Sequence, residues 1–204
     1  MYGQKTNMTG LYNIMPIENI PSIVRKGILS NNKAEKVRHE SVAMQEIQDH
    51  RDQIKVPNGL YLHDYANLYF DPRNPMMYKR RDCAESLCVL KISLDVLDVE
   101  NVVVSDRNAS SIYARFFTPA EGIEILNFAK IFAKSWTDPA NLFNEWANKS
   151  IKCAEVLIPN CVPYEFIVAA AVLNETAKQN LIGKGFDKGI VVSGGMFFRG
   201  ETND

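Results

Sequence analysis

The chain has 204 residues, 46% of them hydrophobic, enough to bury a real core in one large domain or a tight pair. Its formal charge of -1 and pI near 6.3 exclude bulk attraction to nucleic acid, so any polyanion has to be held by a local patch. No apolar run approaches the roughly 18 residues of a membrane span, and the opening MYGQKTNMTG lacks a basic-then-apolar signal pattern, so a soluble cytoplasmic protein without a membrane partner is expected.

In chain order, Leu11–Met15 reads as a strand ending at Pro16. Asn19 caps a short helix with Pro21 in its first turn, and Gly27 closes it behind Lys26. Residues 30–38 form an exposed polar connection carrying Lys33, Lys36 and Arg38. A helix from Ser41 to Ile54 repeats Ala43, Ile47 and Ile54 on one face, and Pro57-Asn58-Gly59 ends it. A strand Leu60–Leu62 leads into the aromatic stretch His63–Phe70, and Asp71-Pro72-Arg73-Asn74-Pro75 turns the chain into Met76-Met77-Tyr78. Strands follow at Leu87–Ile92 and Asn101–Ser105. Helices are predicted over Ala109–Phe116, Ala120–Ala129 and Pro139–Ala147, the last capped by Asp138.

Ala154–Ile158 and Phe166–Leu173 are apolar strands, Asn174 opens a helix that Gly183 stops, and Gly189–Ser193 is a final strand before a tail expected to fray. Strands and helices mix without regular alternation, which favours one α+β domain over 1–204 rather than a doubly wound sheet. No GxGxxG follows the first strand and no GxxxxGK[ST] occurs, so both common glycine-loop nucleotide devices are disfavoured. Cysteines at 83, 88, 153 and 161 show no CxxC pair and no metal-ligand histidine spacing. No metal is expected, and Cys88 and Cys153 read as small core residues.

Glu155 is an acid inside an apolar run. Alternation puts Ala154, Val156 and Ile158 on one face and Glu155 with Leu157 on the other. A buried carboxylate is costly unless paired or employed. An edge strand with Glu155 in water and a cleft strand aiming the acid at a ligand fit about equally well. Arg51, next to His50, taken alone is a solvated helix charge, and His39 and His50 lack metal spacing.

Tyr61, Tyr65, Tyr69, Phe70 and Tyr78 gather around Arg73, Asn74 and two methionines. They form either a stacking surface for a base with an arginine for a phosphate, or an aromatic mini-core beneath a long loop. Lys79-Arg80-Arg81 is either a solvated run or a grip on a phosphate backbone. Helix packing accounts for Phe116 and Phe117, while Tyr113 and Arg115 stay open.

In combination these segments resemble the DarT family of DNA ADP-ribosyltransferases. The matching pieces are Leu11-Tyr12-Asn13-Ile14, Asn19 through Ile23 with Gly27, Ile47 through Arg51, His63-Asp64-Tyr65 with Tyr69-Phe70, Pro72 through Tyr78, Asp106-Arg107-Asn108, Ala114 through Phe117 and Ala154 through Leu157. The resemblance implies an ADP-ribosyltransferase-like split β-sheet around an NAD cleft. It also implies transfer of ADP-ribose from NAD+ to a base in single-stranded DNA, by a monomeric toxin opposed by an ADP-ribose-removing antitoxin. By position, Glu155 matches the catalytic acid and Arg51 the NAD-site arginine. Asn13, Met15, Asn19, Gly27 and Tyr69 fall at the NAD pocket, and Arg73, Met76, Tyr113 and Arg115 along the DNA strand.

Asn13 stands where many relatives carry a histidine that holds the adenosine ribose, and Met15 replaces a small polar residue. Tyr113 stands in place of a histidine of thymidine-modifying relatives, and PRNPMM in place of PRSPML, so the acceptor leans to guanine over thymine. The alternatives are an ADP-ribosyltransferase acting on RNA or protein, and a silent nucleic-acid-binding module of the same fold.

Overall fold

Residues 8–37, 39–40, 51–56 and 59–198 are described in the computed structural model. Its strands are β1 (Leu11–Pro16), β2 (Ile28–Leu29), β3 (Tyr65–Tyr69), β4 (Leu87–Ile92), β5 (Val103–Ser105), β6 (Phe116–Phe117), β7 (Glu155–Pro159), β8 (Cys161–Val162), β9 (Ile167–Val172) and β10 (Gly189–Val192). The helices are α1 (Ile20–Lys26), α2 (Asn31–Ala34), α3 (Pro75–Lys79), α4 (Pro119–Ile125), α5 (Phe128–Ile131), α6 (Leu142–Lys152) and α7 (Glu175–Gly183). Eight strands form one mixed sheet in the order β10-β9-β4-β1-β3-β7-β5-β6, while β2 and β8 pair separately. Only β9 and β10 run parallel among these pairs, and α7 is the crossover that such a pair requires.

The sheet is continuous in order but divided in hydrogen bonding. β1 pairs with β4 along its whole length, from Leu11 opposite Ile92 to Pro16 opposite Leu87. Against β3 it keeps one registered position, Tyr12 opposite Tyr69. β3 then joins β7 over its full length, from Tyr65 opposite Pro159 to Tyr69 opposite Glu155. Two well-bonded halves therefore part between β1 and β3.

Alternation sends Leu11, Leu68, Leu90, Val156 and Val172 into the main core, with Ile20 and Ile23 of α1, Ile123 of α4 and Leu181 of α7. Ile14, Tyr69, Val89 and Met77 pack in a second cluster. Gly27 closes α1 at φ +75°, where the chain passes so near β8 that a Cβ would run into the Val162 carbonyl oxygen; only glycine tolerates both.

Several sequence expectations are corrected. Leu60–Leu62 is not a strand: a single bridge joins Lys55 to Tyr61, and Leu62–Asp64 is a 3-10 turn in which the Asp64 carboxylate accepts from Tyr61 N at 3.2 Å. The aromatic stretch is instead β3, with Tyr65, Tyr69 and Phe70 buried and Tyr61 and Tyr78 partly exposed. Residues 109–115 are turns, not a helix. Asn108 Oδ1 takes the amide of Ser110, Ser111 Oγ that of Tyr113, and Asp106 that of Arg115, and such local bonds compete with helical ones.

The next predicted helix breaks at Leu126 into α4 and α5, where Asn127 caps the second piece. α6 starts three residues later than expected because Asn141, accepting from Phe143 N and Asn144 N, caps it, while Asp138 caps only the turn before. The connection at 30–38 contains the short α2, with Arg38 outside the described residues. Of the helix expected over Ser41–Ile54, residues 41–50 lie outside the described residues; Arg51 is helical and a turn follows it at Asp52 and Gln53. The Pro57-Asn58 part of the predicted turn lies outside them too.

The tail does not fray as far as Phe198. Gly194–Met196 makes a 3-10 turn and Phe197 is buried. Arg73 donates to the carbonyls of Phe197 at 2.8 Å and Gly195 at 3.3 Å, with its guanidinium 3.9 Å above the Phe198 ring. Among the described residues, no helix is long and apolar enough to cross a membrane.

Candidate active site

Glu155 opens β7, opposite Tyr69 of β3 on one side and Ser105 of β5 on the other. An interior strand leaves its carboxylate no water, and it is 0% exposed. Three donors meet it instead. Arg51 Nη1 reaches Oε1 and Nη2 reaches Oε2, each at 3.2 Å, and the Ala109 amide donates to Oε1 at 3.1 Å. The two-pronged contact uses the planar fork of arginine, which lysine cannot reproduce. Ser105 Oγ holds the backbone behind the acid, accepting from Glu155 N at 3.2 Å and donating to the Arg107 carbonyl at 2.7 Å.

The electrostatics follow from this burial. Desolvation pulls the Arg51 pKa down, yet the facing Glu155 carboxylate outweighs it and leaves the guanidinium above its ordinary value. Tyr69 is pushed well above the usual phenol range by burial and by Glu155, so it remains a neutral hydroxyl. Cys153 is raised to about 12, again by burial first and Glu155 second, which keeps it an unreactive thiol.

A cavity of about 480 Å³ opens at the parting of β1 and β3. Such a volume falls in the range of roughly 300–1,000 Å³ typical of small-molecule sites. Asn13, Met15, Asn19, Gly27, Arg51, Tyr69 and Met76, all singled out from sequence, line it. Glu155 lies just behind, covered by Arg51, which is itself only 7% exposed. Lys79, Arg80 and Lys149 add positive charge to the wall.

Asn13 sits where the ladder stops. Its Nδ2 donates to the Asn67 carbonyl at 3.1 Å, and its Oδ1 is buried with no protein partner, the kind of orphan acceptor that a ligand hydroxyl satisfies. Asn19 is committed within the protein: Nδ2 donates to Glu40 O at 2.7 Å and Oδ1 accepts from Glu40 N at 2.8 Å, pinning that backbone beside the cavity.

Arg73, Tyr113 and Arg115 do not line the cavity. Arg73 is engaged by the tail, Tyr113 is 71% exposed, and Arg115 Nε pairs with Asp106 at 2.8 Å. The PRNP turn that contains Arg73 is built for rigidity. Fully buried Asn74 caps α3 by accepting from Met76 N and Met77 N, and buried Lys152 ties Asp71 to α6 at 2.7 Å. Sequence reasoning missed Ala109, Ser105 and His63. His63 lines the cavity, 3.4 Å from Asp52 through Nδ1 and with a buried Nε2 that has no protein partner; its one signal was its place in His63-Asp64-Tyr65.

Asp106 organises the loop that delivers the Ala109 amide. Burial raises its carboxyl pKa, but the hydrogen bonds from Arg107 and Arg115 outweigh that and hold it below the usual range. A depressed acid stabilises above its unfolded pKa of about 3.9 and loses that contribution as pH falls through the folded value. Asp106→Asn is therefore expected to cost about 1–2 kcal/mol at pH 7, discounted because the Arg115 guanidinium is mostly in water. In urea unfolding series at stepped pH, the difference from wild type should shrink as the acid is protonated; a pH-independent gap contradicts the assignment.

A split sheet with Arg51 and Glu155 paired at the back of its cleft agrees with the ADP-ribosyltransferase class that the resemblance implies. The family model described as "ssDNA thymidine ADP-ribosyltransferase, DarT" matches residues 12–198, and the chain belongs to the DarT family of DNA ADP-ribosyltransferases. It is 30% identical over 185 residues to the DNA ADP-ribosyl transferase of Thermus sp. (strain 2.9), covering 85% of this chain and 86% of that one. The structure of Thermus sp. 2.9 DarT in complex with ADP-ribosylated ssDNA superposes with a TM-score of 0.82 at 25% identity, over 94% of this chain and 97% of the other. A DNA ADP-ribosyl transferase-DNA ADP-ribosyl glycohydrolase fusion protein of Thermosipho africanus (strain H17ap60334) is 29% identical, over 84% of this chain and 44% of the fusion.

Proposed function

We propose that this chain transfers ADP-ribose from NAD+ to a base of single-stranded DNA, releasing nicotinamide, as a monomeric cytoplasmic toxin whose antitoxin removes the modification. The observation that carries the reading is the buried Arg51–Glu155 pair behind a cavity large enough for a dinucleotide. The Thermus relative with ADP-ribosylated DNA in its structure supports the acceptor class, and the Thermosipho fusion to a glycohydrolase supports an antitoxin of that activity.

The residues divide the work as follows. Asn13 Oδ1 accepts from a ribose hydroxyl. Arg51, with Lys79, Arg80 and Lys149 on the same wall, meets the pyrophosphate. As Arg51 turns to the phosphates, an oxygen of Glu155 is freed. The bond from the ribose carbon to nicotinamide breaks with its electron pair leaving on nicotinamide, and positive charge builds on the sugar much as in glycoside hydrolysis. The Glu155 carboxylate stabilises that charge. It also takes the proton released as the base nitrogen bonds to the same carbon. Neutral Tyr69 borders the nicotinamide side.

Tyr113 and the PRNPMM stretch favour guanine as acceptor, whereas the matching family description names thymidine. Both bases are therefore carried into the test. The chain, incubated with labelled NAD+ and separate pools of single-stranded DNA, RNA and protein, is expected to label DNA alone. Mass spectrometry of digested nucleosides then assigns the base. Label on RNA or protein without DNA overturns the proposal.

A further inference from the structure

We propose that Trp146, with Phe143 beside it, is a stacking platform for a nucleobase of the DNA strand immediately next to the acceptor nucleotide. The inference rests on the transfer reaction proposed above and adds a strand-binding contact to it. Trp146 and Phe143 lie three residues apart on α6 and so share one face. Their rings meet edge-on at 5.7 Å, and they are 63% and 78% exposed. Two large aromatic side chains held in water near the start of a helix are not explained by the core.

Their position along α6 gives them a use. The same face runs inward from Phe143 at the surface through Trp146, Lys149 and Ser150, all three of which line the cavity, to Cys153 beside Glu155. A single helical row thus leads from open solvent to the catalytic strand. Lys79 at the end of α3 and Arg80 just after it supply positive charge to the same cavity. Flat apolar rings next to cations suit a single-stranded polyanion, since every base offers a face for stacking whatever its sequence.

The row also distinguishes DNA from the dinucleotide. A small ligand is largely enclosed by its pocket, whereas Phe143 lies beyond the cavity lining and continues outward from Trp146. Only a polymer leaving the site needs support there. The adenine of NAD+ is accordingly an outcome to be excluded by the test.

The experiment uses the full chain with NAD+ and oligonucleotides bearing one acceptor base, with an abasic residue placed at either neighbouring position in turn. Trp146→Ala should raise KM for the oligonucleotide about tenfold or more, with KM for NAD+ within about twofold of wild type, and Trp146→Phe should retain most of the affinity. One of the two abasic substrates should reproduce the defect on wild type and add nothing on Trp146→Ala. Additive effects of variant and abasic residue overturn the platform, as does a rise in KM for NAD+ in place of the oligonucleotide. Failure of wild type to modify any single-stranded DNA removes the underlying reaction itself, and is told apart from those results by the unsubstituted oligonucleotide.

Discussion

Glu155→Gln is expected to lower the rate of ADP-ribose transfer by at least about 100-fold, because the charge that faces the ribose and the proton acceptor are lost together. NAD+ affinity should change far less, since Arg51, Asn13 and the cavity walls remain. Gln fills the same space but presents an amide where Arg51 and the Ala109 amide both require an acceptor. Some stability is lost with the activity, and thermal unfolding of the same sample separates the two. Near-wild-type transfer by a folded Glu155→Gln protein would remove Glu155 from the chemistry.

The second large effect is on the fold. Arg51→Met leaves a carboxylate buried without its counterion, which costs about 3–5 kcal/mol. Adding Glu155→Met should return most of that loss, because a buried ion pair is often replaced by apolar residues at little cost. Transfer activity should return with neither. Urea unfolding of both single variants and the double variant reads the coupling directly. Strictly additive losses would mean that the two side chains do not pair in solution. The comparison matters because it separates what the pair does for the structure from what it does for the substrate.

The parts of the fold legible in the sequence are those written in local pattern. Leu11–Pro16, Leu87–Ile92 and the Asn174-capped α7 follow from alternation and capping, and each stands within a residue or so of expectation. Residues 109–115 failed because Asp106, Asn108 and Ser111 offer side-chain bonds that no hydrophobic period registers. β3 was obscured by aromatics that serve a core as readily as a binding surface. At the site, Arg51 and Glu155 are 104 residues apart, so no spacing argument could join them; the family resemblance did. Ala109 contributes a backbone amide, which any residue type would carry, and so left no trace in composition. The order of the tail depends on Arg73 and Phe197 meeting across the fold, a relation equally invisible along the chain.

The parting of β1 from β3 explains how a nucleotide enzyme manages without a glycine-rich phosphate loop. Each half keeps its own ladder, so an opening exists at the seam without either half giving up bonds of its own. The strand edges left bare there, Asn67 among them, are patched by side chains such as Asn13, which keep a spare acceptor for whatever enters. Room for a long, charged substrate is thus an interruption of pairing, and the side chain that mends the interruption is one that still has an acceptor to offer.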